Sequence, residues 1–389
     1  NISSWNTAAV TNMSNMFYVA TVFNQNITSW NTAAVTNMES MFNSAPAFNQ
    51  NINTGPSSWN TAAVTNMAYM FYGATAFNGN ISSWNTAAVT SMQNMFRGAT
   101  AFNQNINTSV SIWNTSNVTR MDMMFNNATA FNGNISFWNT AAVTNMNQMF
   151  YGTNAFNQNI SSWNTAAVTN MSNMFRTAIA FNQNISLWNT AAVTNMDYMF
   201  MDATAFNGNI GSWNTAAVTS MRSVFRGASA FNQPLTHSGN SWNLGNVTNM
   251  THMFNGATSF TTNNYDIFLY SQANNSDIKP NITITVSSKF CDTTSRTYLT
   301  GTKNWTINDS DASSDCNKFV STWAIPSDNY SFELPLKDYA NITIDWGDGG
   351  STSTHTNAAF PTHTYGSSGT KTITVAVNDG AKDIGEMYM

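Results

Sequence analysis

Charge is scarce in this 389-residue chain: 18 acidic and 13 basic residues make up 8% of it, where an ordinary soluble domain carries about a quarter. The scarcity is uneven. Residues 1–260 hold four acids (Glu39, Asp122, Asp197, Asp202), five arginines (Arg97, Arg120, Arg176, Arg222, Arg226) and no lysine. The other 129 residues hold 14 acids and eight lysines or arginines, so the formal net of −5 divides as +1 and −6. No basic stripe could neutralise a run of phosphates, which excludes nucleic acid as a partner. No polybasic cluster is available for an anionic bilayer. No stretch approaches the ~18 consecutive apolar residues of a spanning helix, so no membrane insertion is expected. Cysteine is almost absent. Cys291 and Cys316 both lie in the acidic C-terminal third. One pair in a small β-rich region, with no nearby catalytic partners, favours a disulfide over a redox or metal site, and with it an oxidising, extracellular location. Residue 1 is Asn and no signal peptide is visible, which marks a processed chain or a piece of a longer one.

What is present is repetition. Hydrophobic residues make up 42% and aromatics 13%, enough to exclude disorder. Trp5, Trp30, Trp59, Trp84, Trp113, Trp138, Trp163, Trp188, Trp213 and Trp242 are spaced 25 or 29 apart. Each long spacing adds four residues at one place, in NINTGPSSW, NINTSVSIW and PLTHSGNSW. Insertions confined to one point of a fixed period mark a solenoid whose loop lies there. The unit reads N-I-S-S-W-N-T-A-A-V-T-N-M-x-x-M-F-x-x-A-x-x-F-N-(Q/G).

Within a unit, Val10, Met13, Phe17 and Ala20 step by three and four, with Met16 beside Phe17, the spacing of one helix face. Thr11 precedes that run as an N-cap. The fourteenth, fifteenth, eighteenth and nineteenth positions vary most and carry every array charge except Arg120, as an exposed helix face would. Phe23 to Trp30 alternates apolar residues and reads as a brief strand with a corner. The expected fold is therefore a mixed α/β repeat solenoid of ten 25- or 29-residue coils, each a short strand plus a short helix. Its length would be about 48 Å at the strand spacing of a sheet.

The pattern W-N-T-x-x-V-T-x-M-x-x-M-F-x-x-A-x-x-F-N-Q resembles the BspA-type leucine-rich-repeat-like surface proteins. More closely, it resembles their Met-Phe branch, first catalogued as a mycoplasma lipoprotein domain of unknown function. The stretch FNQPLTHSGNSWNLGNVTNMTHMFNGATSF carries that likeness best. The resemblance covers about two-thirds of the chain and implies a secreted or surface-displayed protein linked to adhesion, not an enzyme.

From Tyr265 the period ends and β-signals take over: YDIFLY, NITITV, RTYLTG and KNWTI, then FVSTWAI, SFELPL, NITIDW and KTITVAV. Trp346–Gly349 and His363–Tyr365 resemble the W-G-D-G turn and H-T-Y corner of the PKD family of immunoglobulin-like sandwiches. The expected layout is an array over 1–260, a small disulfide-clamped β-domain over 261–316 and a PKD-like all-β sandwich over 317–380. Residues 381–389 would be a linker or the start of a further module. Asp345 and Asp348 are weak Ca²⁺ candidates, because two carboxylates fall short of six to eight oxygen ligands.

Recurring columns carry the remaining candidates. Asn6, Asn31, Asn60 and Asn85, with Asn24, Asn49, Asn78 and Asn103, are expected to form structural amide ladders. Met13, Met16 and their copies read as core filling rather than metal or redox sites. Sequons include Asn12, Asn26, Asn80, Asn134, Asn170, Asn249, Asn281 and Asn304, candidate glycosylation sites that an Asn- and Thr-rich repeat also generates by composition. No phosphate loop, metal cluster or nucleophile elbow appears, so neither catalysis nor a cofactor is expected. The functional expectation is a non-catalytic extracellular surface or fibre protein, a spacer and adhesin. Its partners would be neighbouring modules of the same chain or copies joined head to tail, with glycans or a host surface beyond. The alternative is a carbohydrate- or receptor-binding module using Tyr18, Tyr69, Tyr72, Arg97, Tyr151, Arg176, Tyr198 and Arg226 on the varying face. A remote alternative is ice binding by the Thr and Asn columns.

Overall fold

The computed structural model describes residues 2–52, 59–107, 113–239, 241–313, 318–333, 341–350, 352–356 and 361–377. The chain divides into two compact units, Asn1–Asp311 and Ala312–Met389.

The expected helix in each repeat is absent. Among the described residues no helix precedes Thr262, and the varying segment of every repeat is a run of turns. The sixth repeat shows how it is built. The N–H groups of Met149, Tyr151 and Thr153 close turns onto the carbonyls of Met146, Gln148 and Phe150 at 3.2 Å. The intervening N–H groups leave the repeat. Met146, Gln148, Phe150 and Gly152 donate to Asn170, Ser172, Met174 and Arg176 of the next repeat at 2.9–3.1 Å. A helix would keep all of these donors to itself; here about half hold one layer on the next. Gln148 (φ 55°) and Gly152 (φ 65°) are left-handed, four residues apart, and equivalents of both recur in all ten repeats. Turns reset every four residues bury positions separated by three and four, as a helix does, so the apolar spacing cannot separate the two.

The left-handed position equivalent to Gln148 is never glycine, and the one equivalent to Gly152 is occupied by β-branched Val19 and Thr177 in two repeats. Such residues disfavour that conformation by ~1–2 kcal/mol each. The cross-layer bonds, worth ~1 kcal/mol apiece, offset this.

Each layer meets its neighbours through one parallel bridge, in the column Asn12, Asn37, Asn66, Ser91, Arg120, Asn145, Asn170, Asn195, Ser220, Asn249. The expected strand at Phe23–Trp30 is likewise absent. That corner is held by side chains. Asn24 Oδ1 accepts the N–H of Asn49 at 2.9 Å, Asn49 Oδ1 that of Asn78 at 2.8 Å, and Asn78 Oδ1 that of Asn103 at 3.0 Å. The insertions at 53–58 and 108–112 lie outside the described residues. The third turns back through a bridge between Ser238 and Ser241, with Gly239 at φ 58°.

The core consists of aromatic columns. Phe150 and Phe156 stack at 4.0 Å within a layer, and Phe150 lies 5.7 and 5.6 Å from Phe125 and Phe175 above and below. Trp138 and Trp163 stack at 6.3 Å. Each indole from Trp30 to Trp242 donates to an isoleucine carbonyl of the preceding layer, as Trp163 Nε1 does to Ile135 at 3.2 Å. The Val, Met, Phe and Ile positions of the second to ninth layers are buried, so the sequence-derived core holds although the secondary structure does not.

The segment after the array is not an all-β domain. Strand β1 (Met250–Phe254) pairs in parallel with β2 (Thr283–Val286), and β2 with β3 (Thr306–Asn308), which extends the stack. Between them lie α1 (Thr262–Ala273), then α2 (Thr293–Thr297) running into a π-helical turn, Tyr298–Thr302. Thr261 caps α1 by accepting from the Asn264 N–H. The helix buries Tyr265, Phe268 and Leu269, with Phe268 set edge-on to Phe254 at 5.5 Å. Trp305 Nε1 donates to Lys279 O at 2.8 Å, repeating the indole bond of the array.

The second unit has two antiparallel sheets. One is ordered β4 (Lys318–Ile325), β9 (Gly369–Val377), β6 (Asn341–Asp345), β7 (Ser353–Thr356); the other pairs β5 (Tyr330–Glu333) with β8 (Thr362–Tyr365). Among the described residues its buried hydrophobic side chains are Ile325, Ile344, Trp346, Tyr365, Ile373 and Val375. Residues 381–389 lie outside the described residues.

Candidate functional site

The expected binding-face residues fall into two groups and two outliers. Tyr69 and Tyr72 lie 6.2 Å apart, with the Arg97 guanidinium 5.4 Å from the Tyr72 ring. In the second group Arg176 sits 5.3 Å from Tyr151 and 5.4 Å from Tyr198, and Arg222 lies 5.5 Å from Tyr198. Arg222, not among the expected residues, joins this group through Tyr198 of the preceding layer. Tyr18 stands alone on the first layer and Arg226 is exposed outside both groups. A shallow recess elsewhere is lined by Trp113, Asn114, Thr115, Ser116, Asn139 and the exposed Phe137.

The asparagine columns differ in what they do. Asn24, Asn49, Asn78 and Asn103 link layers, joined by glutamines such as Gln50, whose Nε2 donates to Asn24 Oδ1 at 2.9 Å. Asn6, Asn31, Asn60 and Asn85 instead fold back, each Oδ1 accepting the N–H two residues on at 3.0–3.1 Å. Of the eight candidate sequons six adopt that same turn: Asn12, Asn26, Asn80, Asn134, Asn170 and Asn249 accept the N–H of their own Ser or Thr. Asn304 Nδ2 donates to Asn281 Oδ1 at 2.5 Å. The exposed threonines of the Thr11 column turn their hydroxyls inward, as Thr36 Oγ1 does to Thr11 O at 3.2 Å.

The capping segment holds a charged cluster with no sequence signature. Arg296 grips Asp309 with two bonds, Nε to Oδ2 at 3.0 Å and Nη2 to Oδ1 at 2.8 Å, and Tyr265 Oη donates to Oδ2 at 2.8 Å. Burial first, then the Asp309 charge and its hydrogen bond, push the Tyr265 hydroxyl far above the usual phenol range. Asp266 accepts the N–H groups of Cys291 and Asp292; burial pushes its pKa up. The partner expected for Cys291, Cys316, lies outside the described residues.

In the second unit both Ca²⁺ candidates are committed to turns. Asp345 Oδ1 accepts from Gly347 N–H at 2.9 Å and Asp348 Oδ1 from Gly350 N–H at 3.0 Å. Asp348 Oδ2 lies 2.7 Å from His363 Nε2, and the His363 ring stacks on Trp346 at 4.9 Å. Tyr365 Oη donates to Trp346 O at 2.9 Å. Among the described residues no group of three or more His, Cys, Asp and Glu could hold a metal, and no helix is long and apolar enough to cross a membrane.

The Gly350 N–H, and after it His363, hold the Asp348 carboxyl below its ordinary 3.8. A depressed pKa stabilises the fold above the unfolded value and loses that contribution as pH falls through the folded one. Amide protection at Ile373 and Val375 should therefore decline below about pH 4, and Asp348→Asn should flatten that decline. An unchanged acid profile in the variant would assign the loss to another carboxylate.

Three overlapping stretches, residues 1–109, 104–208 and 183–280, match one family. No curated protein and no solved structure matches the chain. The matched stretches span the turn-built array and run into its cap, well over half of the chain, so it belongs to the repeat family described as Mycoplasma protein of unknown function, DUF285.

Proposed function

We propose that this chain is a non-catalytic repeat segment of a cell-surface protein, acting as a spacer and adhesive stalk. The observation that carries the reading is the unbroken stack of ten near-identical layers, which repeats the same side chains along one axis. Such a construction adds reach by adding layers, since each layer needs only its neighbours. Neighbouring modules of the same chain are its first partners. The Trp346–Gly349 turn and His363–Tyr365 strand support a PKD-like spacer role for the second unit. The Cys291–Cys316 pair would suit an oxidising exterior. Labelling intact source cells with an antibody to the array, before and after brief protease treatment, tests the location. Surface label lost on shaving is expected. Label seen only after permeabilisation would overturn the reading.

A further inference from the structure

Charge and aromatic rings form a continuous line at one place on the array. Tyr151, Arg176, Tyr198 and Arg222 come from four consecutive layers and alternate ring and guanidinium, with successive separations of 5.3, 5.4 and 5.5 Å. At least one face of each ring is therefore occupied. Tyr198 has a guanidinium from the layer on either side, so it cannot offer a bare platform to a neutral sugar. Tyr151, Arg176 and Tyr198 are half-buried and Arg222 is exposed, so phenol hydroxyls and guanidinium N–H groups are what the line has to offer a ligand.

Those donors are poorly supplied. Among the described residues the arginine and lysine ion pairs are Arg120–Asp122 and Arg296–Asp309, so neither Arg176 nor Arg222 has a carboxylate. Arg176 Nη1 reaches only Asn173 Oδ1, at a long 3.4 Å, and its buried Nε has no acceptor. Oδ1 of the nearby Asp197 accepts from the Ser220 hydroxyl and the backbone N–H of Arg222, not from its guanidinium. Arg226, exposed and in the same layer as Arg222, adds a third unpaired guanidinium to this face. Tyr151 and Tyr198 hold the Arg176 guanidinium from both sides and Tyr198 holds that of Arg222 from one, which suits them to capture of an oxyanion. Arg176 and Arg222 are two layers apart, or about 10 Å at the spacing of paired strands.

We propose that the Tyr151–Arg222 line is a binding site for a linear acidic polysaccharide, whose carboxylate or sulfate groups dock on Arg176 and Arg222. A row of donors drawn from four successive layers fits an extended polyanion of low charge density. A protein partner would call for an apolar centre, and this row has none. A nucleic acid would need many more cations than an array of net +1 provides. The proposal gives the adhesive part of the surface reading a ligand class, while a spacer without this site would still be a spacer.

Calorimetry of the full chain with heparin (sulfated), polygalacturonate (carboxylated only), dextran and poly-glutamate tests it. Binding to at least one acidic glycan and none to dextran is expected; the two glycans distinguish the oxyanions. Arg176→Gln and the exposed Arg222→Gln should each weaken it about tenfold, the size of one lost charge-assisted contact. Arg120→Gln should leave it unchanged, because that charge is already paired. Near-ultraviolet circular dichroism shows whether each variant keeps its ring packing, and Arg222→Gln decides the matter if Arg176→Gln does not fold. Equal losses in all three variants, or no acidic glycan bound, would overturn the site. Poly-glutamate bound as tightly as the glycans would overturn the ligand class. None of these results bears on whether the protein reaches the surface.

Discussion

Phe150→Ala should lower unfolding stability by about 4 kcal/mol, against about 1 kcal/mol for Phe17→Ala, although the two residues occupy the same position of the repeat. Phe150 is fully buried and has a ring partner in its own layer at 4.0 Å and others on both sides at 5.7 and 5.6 Å. Phe17, in the first repeat, is half-buried and stacks on Phe42 of the second at 5.5 Å. Truncating Phe150 leaves a cavity that two interfaces share, and solvent fills the Phe17 site as it forms. Nearest-neighbour coupling adds a second expectation. The Phe150 variant should unfold in urea over a broader transition or in two steps, as the halves of the array lose their connection. Urea titration followed by circular dichroism measures both, and equal losses would mean that the layers do not depend on one another.

Asp309→Ala should cost about 3 kcal/mol and confine the damage to residues 262–311. The Asp309 side chain is 2% exposed and holds two groups at once, the Arg296 fork and the Tyr265 hydroxyl. Removing it leaves the guanidinium, 27% exposed, partly solvated, but strands a buried phenol. Since Tyr265 is on α1, Arg296 on α2 and Asp309 just beyond β3, losing the carboxylate unties all three. Hydrogen exchange should then rise across α1, α2 and β3 and stay slow in layers two to eight. Asp309→Asn, which can still accept from Tyr265, should recover part of the loss. Uniform acceleration across the array would show instead that the cap and the layers unfold as one.

The core could be read from the sequence because the Trp, Val, Met, Phe and Ile columns are fixed by period alone, whatever the backbone does between them. The backbone itself could not. Steps of three and four describe a helix and equally a chain of four-residue turns, and thirteen residues are too few for the two periods to drift apart. One signal was present. Glycine fills the nineteenth position in Gly73, Gly98, Gly152, Gly227 and Gly256, and glycine recurring inside a helix face calls for a left-handed residue there. The Tyr–Arg line was half visible, since its residues are on the varying face. Their contacts join different positions of successive repeats, eighteenth to eighteenth (Tyr151–Arg176), eighteenth to fifteenth (Arg176–Tyr198) and fifteenth to fourteenth (Tyr198–Arg222), so no fixed period announces them. The Asp309 cluster was out of reach, because three residues spread over 45 positions without a period carry no pattern.

Because each layer is bonded only to the layers beside it, the stack has no single fastening that holds it all. Under tension along the chain, it should yield from an end, one layer at a time, each step breaking a handful of backbone bonds and one set of ring contacts. A layer occupies about 4.8 Å of the folded stack, and its 25 residues pull out to about 85 Å. Every step thus releases many times its own thickness and takes up work as it does so. An array built this way is an extensible tether, able to lengthen under a sudden load and to rewind layer upon layer when the load is gone.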